Sequence, residues 1–159
     1  MRARLIKESL NDILKPKSEE DLVNYINSLN QEEKNKKLLI AAKDGRLEIV
    51  KLLIEAGADI NAKNEGGNTA LMYAAMNKQL NVIKWLIEKG VDINDNDMHE
   101  NTALMFASAF GSLEEAKLLI EAGADINAKN KYGKTALAQT FKHNHKHMAE
   151  LLKKHGAKE

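Results

Sequence analysis

Apolar and polar positions recur along the chain on two scales. On the short scale, apolar residues fall three and four apart, as in Leu22, Tyr25, Ile26 and Leu29, or Leu47, Val50, Leu53 and Ile54. That spacing lines one face of a helix. On the long scale the pattern returns every 33 residues: Gly57, Gly90, Gly123 and Gly156 keep the interval, as do Thr69, Thr102 and Thr135, and the pairs Ile60-Asn61, Ile93-Asn94 and Ile126-Asn127. A fixed interval of this size marks a solenoid, in which each unit buries its apolar face against the next instead of closing one central core.

The pattern predicts the elements in order. Leu5, Ile6, Leu10, Ile13 and Leu14 make a helical stripe that Pro16 ends. Ser18 is placed to cap a second helix, with Asp21 three residues on. Neither segment carries the repeat, so residues 1–30 are expected to form an N-terminal helical cap over the first unit. Four units follow, at about 31–63, 64–96, 97–129 and 130–159. Thr69, Thr102 and Thr135 are placed to cap the orphan amides of the first helix in their units. Ala41-Ala42, Ala74-Ala75 and Ala107-Ser108 let paired helices approach closely, and Leu52-Leu53, Trp85-Leu86, Leu118-Leu119 and Leu151-Leu152 supply the shared core. Each recurring glycine follows a second helix, where a left-handed cap is expected. Two positions break the pattern. Lys36 stands where the first unit should have its Thr, so Asn35 or a longer continuous helix must take over. Glu100 stands where other turns have glycine, so a different bend is expected there.

The stretches NTALMYAA, NTALMFAS and KTALAQTF, with EIVKLLIEAGADINAKN, NVIKWLIEKGVDINDND and EEAKLLIEAGADINAKN, resemble the ankyrin-repeat family at motif level from about Gln31 onward. The resemblance implies an all-α ankyrin-repeat solenoid of helix-turn-helix units joined by finger-like turns. The Pro and His that usually follow the family's Thr are replaced by Ala70 and Met72, Ala103 and Met105, and Ala136 and Ala138, which implies less tightly fixed loops. The resemblance also implies that a partner protein binds the concave side, at finger tips and the exposed face of the first helices. Carried onto this sequence, those positions are Glu65, Gly66, Asn68, Met76 and Asn77 in the second unit. In the third they are Met98, His99, Asn101, Ala109 and Phe110, and in the fourth Lys131, Tyr132, Lys134, Lys142 and His143; Lys43 and Asp44 are the helix positions of the first. Tyr73 and Phe106, one turn earlier, either extend an apolar-aromatic strip with Met76, Met98, Phe110 and Tyr132 or seal one repeat against the next. An apolar centre with a charged rim fits a protein partner with an acidic flank.

Composition narrows the alternatives. Of 159 residues, 43% are hydrophobic and 30% charged, which is neither a disordered nor a membrane-spanning composition. The basic beginning is interrupted by Lys7, Glu8, Asn11 and Asp12, so a secretory signal is not expected. No cysteine is present, which excludes disulfides and thiolate chemistry and is compatible with the cytoplasm, the expected location; secretion of a pathogen effector by a non-classical route is the alternative. From Lys129 onward eight lysines face only Glu150 and Glu159, giving +6 there and −5 before it within a net charge of +1. That end either meets an anionic partner or is the solvated face of a capping unit. His143 and His147 sit four apart and admit a metal-binding alternative, although no acid or cysteine completes a recognised spacing and no cofactor is expected. The chain has no phosphate loop and no HExxH, and its recurring Asp59, Asp92 and Asp125 are explained by turns, so no enzyme and no small-molecule substrate are expected. Nucleic-acid binding would rest on the basic end alone. A self-associating structural module, pairing through the N-terminal stripe, is the stronger rival to a protein-binding adaptor.

Overall fold

A computed structural model describes residues 18–158; the helix expected at Leu5–Leu14 lies outside them. Nine helices are present among the described residues: α1 (Glu19–Ser28), α2 (Gln31–Lys43), α3 (Leu47–Glu55), α4 (Ala70–Met76), α5 (Leu80–Glu88), α6 (Ala103–Ala109), α7 (Leu113–Glu121), α8 (Ala136–Lys142) and α9 (Lys146–Lys154). The fold is an all-α solenoid of two layers. First helices α2, α4, α6 and α8 pack in series, second helices α3, α5, α7 and α9 pack in series beside them, and each first helix also packs on its own second helix. α1 rests against α3 at one end of the stack.

The signals read from the sequence explain these elements. Ser18 accepts a hydrogen bond from the Asp21 amide, and Thr69, Thr102 and Thr135 accept from the amides of Met72, Met105 and Ala138, which starts each helix on a satisfied donor. Second helices end in one repeated motif. The amides of Ala58, Val91, Ala124 and Ala157 reach back to the carbonyls of Leu53, Leu86, Leu119 and Leu152, with Gly57, Gly90, Gly123 and Gly156 left-handed between them. This is the Schellman cap, and a side chain at the glycine would pay the left-handed penalty.

Core packing follows the small-residue slots. Ala41, Ala42, Ala74, Ala75, Ala107 and Ser108 are buried, as are Leu53, Leu86, Leu119 and Leu152. The preceding partners Leu52, Trp85, Leu118 and Leu151 are only half-buried against the core, and the Lys89 ammonium lies 5.4 Å from the Trp85 ring. In α1, Ile26 is buried and Leu22 and Leu29 pack against the core, while Tyr25 stays exposed beneath the Lys37 ammonium.

The first unit solves its missing Thr with the longer helix. α2 begins seven residues ahead of Leu38, at a capping box in which Asn30 and Glu33 each accept the other's amide. Asn35 has another task. Asn61, Asn94 and Asn127 each accept, through Oδ1, the amide of the residue 31 positions later, and the latter two donate Nδ2 to the Gly123 and Gly156 carbonyls. Ahead of the first unit no such Asn exists in register; Asn35 accepts the Asp59 amide and Gln31 donates to the Gly57 carbonyl instead. The recurring Asn therefore ties one repeat to the next, whereas Asp59, Asp92 and Asp125 cap their own turns at the Asn61, Asn94 and Asn127 amides.

Candidate partner-binding surface

Each finger is built on one side chain. Asn64, Asp97 and Asn130 occupy equivalent positions, and the Oδ1 of each accepts two amides of its own turn: Gly66 and Asn68, His99 and Asn101, Tyr132 and Lys134. A backbone bond closes each turn, from Asn64, Asp97 and Asn130 to the carbonyls of Asn68, Asn101 and Lys134. Neighbouring fingers are then joined directly, Met98 N–H to the Gly66 carbonyl and Lys131 N–H to the His99 carbonyl, both at 2.9 Å. Asn130 also donates to Asn101 Oδ1, and the Lys63 ammonium bridges to Asp95 and to the Asn96 carbonyl. The fingers thus form a cross-linked row, so side chains on them are held before any partner arrives.

Glu100 corrects the expected bend. It adopts φ +62°, beside +79° for Gly67 and +69° for Gly133, so the middle finger turns like its neighbours. The Asp97 carboxylate and the two inter-finger bonds hold the turn, and the left-handed strain falls on Glu100.

The residues expected at the surface divide by environment. Met98, Phe110 and Tyr132 are exposed, at 63%, 51% and 66%; Met98 and Tyr132 sit on fingers and Phe110 ends α6. Tyr73, Met76 and Phe106 are half-buried and pack on the core, and the Tyr73 hydroxyl accepts from Asn64 Nδ2. Asn77 ends α4, its amide group donating to the Tyr73 carbonyl. Lys142 and His143 are exposed at the end of α8, and His143 stacks on His145 with ring centres 6.0 Å apart. His99 stacks on Tyr132 across two fingers, also at 6.0 Å, with the Tyr132 hydroxyl 3.4 Å from Nδ1. His99, Asn101, Tyr132 and Lys142 come together around a cavity of about 640 Å³, completed by Asn130, Lys134, Ala138 and Gln139.

Three features escaped the sequence reading. The finger-organising Asn64, Asp97 and Asn130 share the 33-residue spacing and were legible in principle. Gln139 carried a signal too, since it replaces the aromatic of Tyr73 and Phe106. Phe141 is 61% exposed in the slot where Ala75 and Ser108 are enclosed, with the Lys153 ammonium 5.7 Å from its ring. Among the described residues, no three of His, Asp and Glu are grouped closely enough to hold a metal ion. No described helix is long and apolar enough to cross a membrane.

Residues 7–97 match a family model described as ankyrin repeats (3 copies), and residues 86–138 match a second, ankyrin repeats (many copies). The first match spans more than half of the chain. The protein belongs to the ankyrin-repeat family. No curated protein matches it in sequence. As an ankyrin-repeat chain it is a scaffold capable of protein–protein interaction, and such scaffolds are typically non-catalytic.

Proposed function

We propose that this ankyrin-repeat chain is an adaptor that binds a partner protein along its finger row and first helices, with Met98, Phe110 and Tyr132 as the central contacts. The observation that carries the reading is the exposure of these three large side chains on a hydrogen-bonded frame. Exposed aromatics on rigid backbone lose little conformational freedom on binding and are over-represented among residues that dominate interface energies. Tyr73 and Phe106 support the frame more than the contact, because both pack on the core. The proposed setting is the cytoplasm, with which a cysteine-free chain is compatible.

The test is a pull-down from lysate of the source cells with the full chain and a Met98→Ala, Phe110→Ala, Tyr132→Ala variant, both verified as folded by circular dichroism. A protein retained by the first and lost from the second supports the surface. Equal retention by both moves the contact elsewhere on the molecule. Retention of nothing but the chain itself, with a doubled mass in light scattering, replaces the adaptor by a self-associating module.

A further inference from the structure

The cavity between the last two fingers differs from the equivalent space in earlier repeats, and the difference has a chemical direction. Along the first helices, Tyr73 and Phe106 are followed in the same slot by Gln139, and Met76 and Ala109 by Lys142. At the end of the finger, Asn68 and Asn101 are followed by Lys134. Where earlier repeats put an aromatic ring against the core, the fourth has a shorter amide, and about 640 Å³ of space opens beside it. Two lysines line that space, the His99–Tyr132 stack forms a wall, and no carboxylate lines it. Neither lysine ammonium has an acidic partner among the described residues.

We infer that this cavity takes an acidic side chain of the bound polypeptide, its carboxylate between Lys134 and Lys142 and its stem against Tyr132. The inference rests on the finger row being the protein-binding surface and adds the chemistry of the partner: an acidic segment seated on the fourth repeat, continuing as apolar residues toward Phe110. Gln139 supplies a neutral amide donor, and two cations without acidic partners compensate the charge that a carboxylate brings. A polypeptide fits better than a nucleic acid. A phosphate backbone following the row would carry continuous negative charge past the exposed Glu65 and Glu100 of the preceding fingers, whereas a peptide can confine its acids to one end.

The test is a random dodecapeptide array probed with the full chain and with a Lys134→Gln, Lys142→Gln variant; both substitutions are exposed and leave the core untouched. Peptides retained by the unmodified chain are expected to be enriched in Asp and Glu. The tightest of them is expected to lose about tenfold in affinity with the double variant, the sum of two exposed charge pairs. Retained peptides without acidic enrichment, or acidic ones bound equally by the variant, overturn the inference and leave the protein-binding surface standing. Retention of no peptide by either protein, together with equal pull-down by the Met98, Phe110 and Tyr132 variant, fails both. Tighter binding of a fluorescein-labelled dT12 oligonucleotide than of any array peptide also overturns the acidic-peptide reading.

Discussion

The junction between repeats three and four and the junction between repeats two and three use the same backbone differently. At the former, Gly111 is left-handed and the His145 ring lies over it, donating Nε2–H to the Ala109 carbonyl at 3.0 Å. The junction between repeats one and two has the same design, with Gly45 beneath Gln79 and a bond to the Lys43 carbonyl. Between repeats two and three the left-handed slot holds Lys78, and the residue in register with Gln79 and His145 is Ser112, whose hydroxyl is buried without a hydrogen-bond partner among the described residues. Glycine and a long polar side chain go together, as do a side-chain-bearing residue and a short one. A Cβ at Gly45 would sit 2.0 Å from Gln79 Oε1 and one at Gly111 2.9 Å from the His145 ring, so a side chain in the slot forces its cover to turn aside and give up its bond to the carbonyl. The choice at one repeat is thus set by the next repeat, which a single unit read alone does not disclose.

The fingers give the largest test of that lesson, because there the cover is backbone and cannot turn aside. A Cβ at Gly67 would meet the Met98 nitrogen at 2.8 Å and Asp97 backbone at 3.0 Å, while one at Gly133 meets nothing within 4 Å. Gly67→Ala is expected to cost about 3 kcal/mol, from left-handed strain plus a displaced finger, against about 1 kcal/mol for Gly133→Ala. Urea unfolding of both variants decides it: equal losses would mean that φ alone, and not the neighbouring finger, makes glycine necessary. Next in size is Gly111→Ala, expected to cost about 2 kcal/mol, with roughly half of it absent in a His145→Ala background where the ring no longer covers the slot. Additive losses in that cycle would remove the proposed coupling.

Much of this architecture is legible in the sequence. The Thr caps, the Schellman glycines, the Ala slots and the all-α solenoid follow from local chemistry that repeats in register, so each instance confirms the others. What was not legible depends on groups out of register or on the neighbour. Gln31 and Asn35 jointly replace one Asn, and neither stands at its 33-residue position. The bend at Glu100 is set by hydrogen bonds that Asp97 and the adjoining fingers supply, which the propensity of one residue does not disclose. At the candidate surface, sequence nominated Tyr73, Phe106 and Phe110 alike; only packing separates the first two, half-buried, from the third. The cavity beside Gln139 is a missing volume, visible once neighbouring side chains are placed.

The polar junction between repeats two and three offers two smaller tests. Ser112→Gln alone is expected to destabilise by about 1 kcal/mol, since a long side chain meets the Cβ of Lys78. Combined with Lys78→Gly it should recover that loss, because the new amide then reaches the Met76 carbonyl as Gln79 reaches Lys43, giving a coupling of about 1 kcal/mol or more. A cycle without coupling would show that this junction is not built on the same exchange. One turn further along α7, Glu115 is only 7% exposed, in the slot of Ile49, Val82 and Met148, and no cation pairs with its carboxylate among the described residues. Glu115→Val should stabilise by about 1 kcal/mol, raising the unfolding midpoint. A fall would mean that the carboxylate has a favourable environment which Val cannot replace.

Away from any junction the expected effects become small, and the Glu32–Lys36 pair on the outside of α2 marks that limit. The side-chain hydrogen bond to Lys36, and then its charge, hold the Glu32 carboxyl below its ordinary range; the same bond, and then the Glu32 charge, raise Lys36. A lowered carboxyl contributes stability above its unfolded pKa and loses it as pH falls through the folded value. A raised ammonium contributes below its unfolded pKa and loses it as pH rises through the folded value. The pair therefore contributes across the neutral range and at neither extreme. Both groups are fully solvated, so water and salt screen the interaction. Lys36→Ala should lower the unfolding midpoint less than any destabilising substitution above, and the difference should vanish in acid and in high salt. A loss that persists in acid would show that the Lys36 stem, not its charge, supports the long first helix.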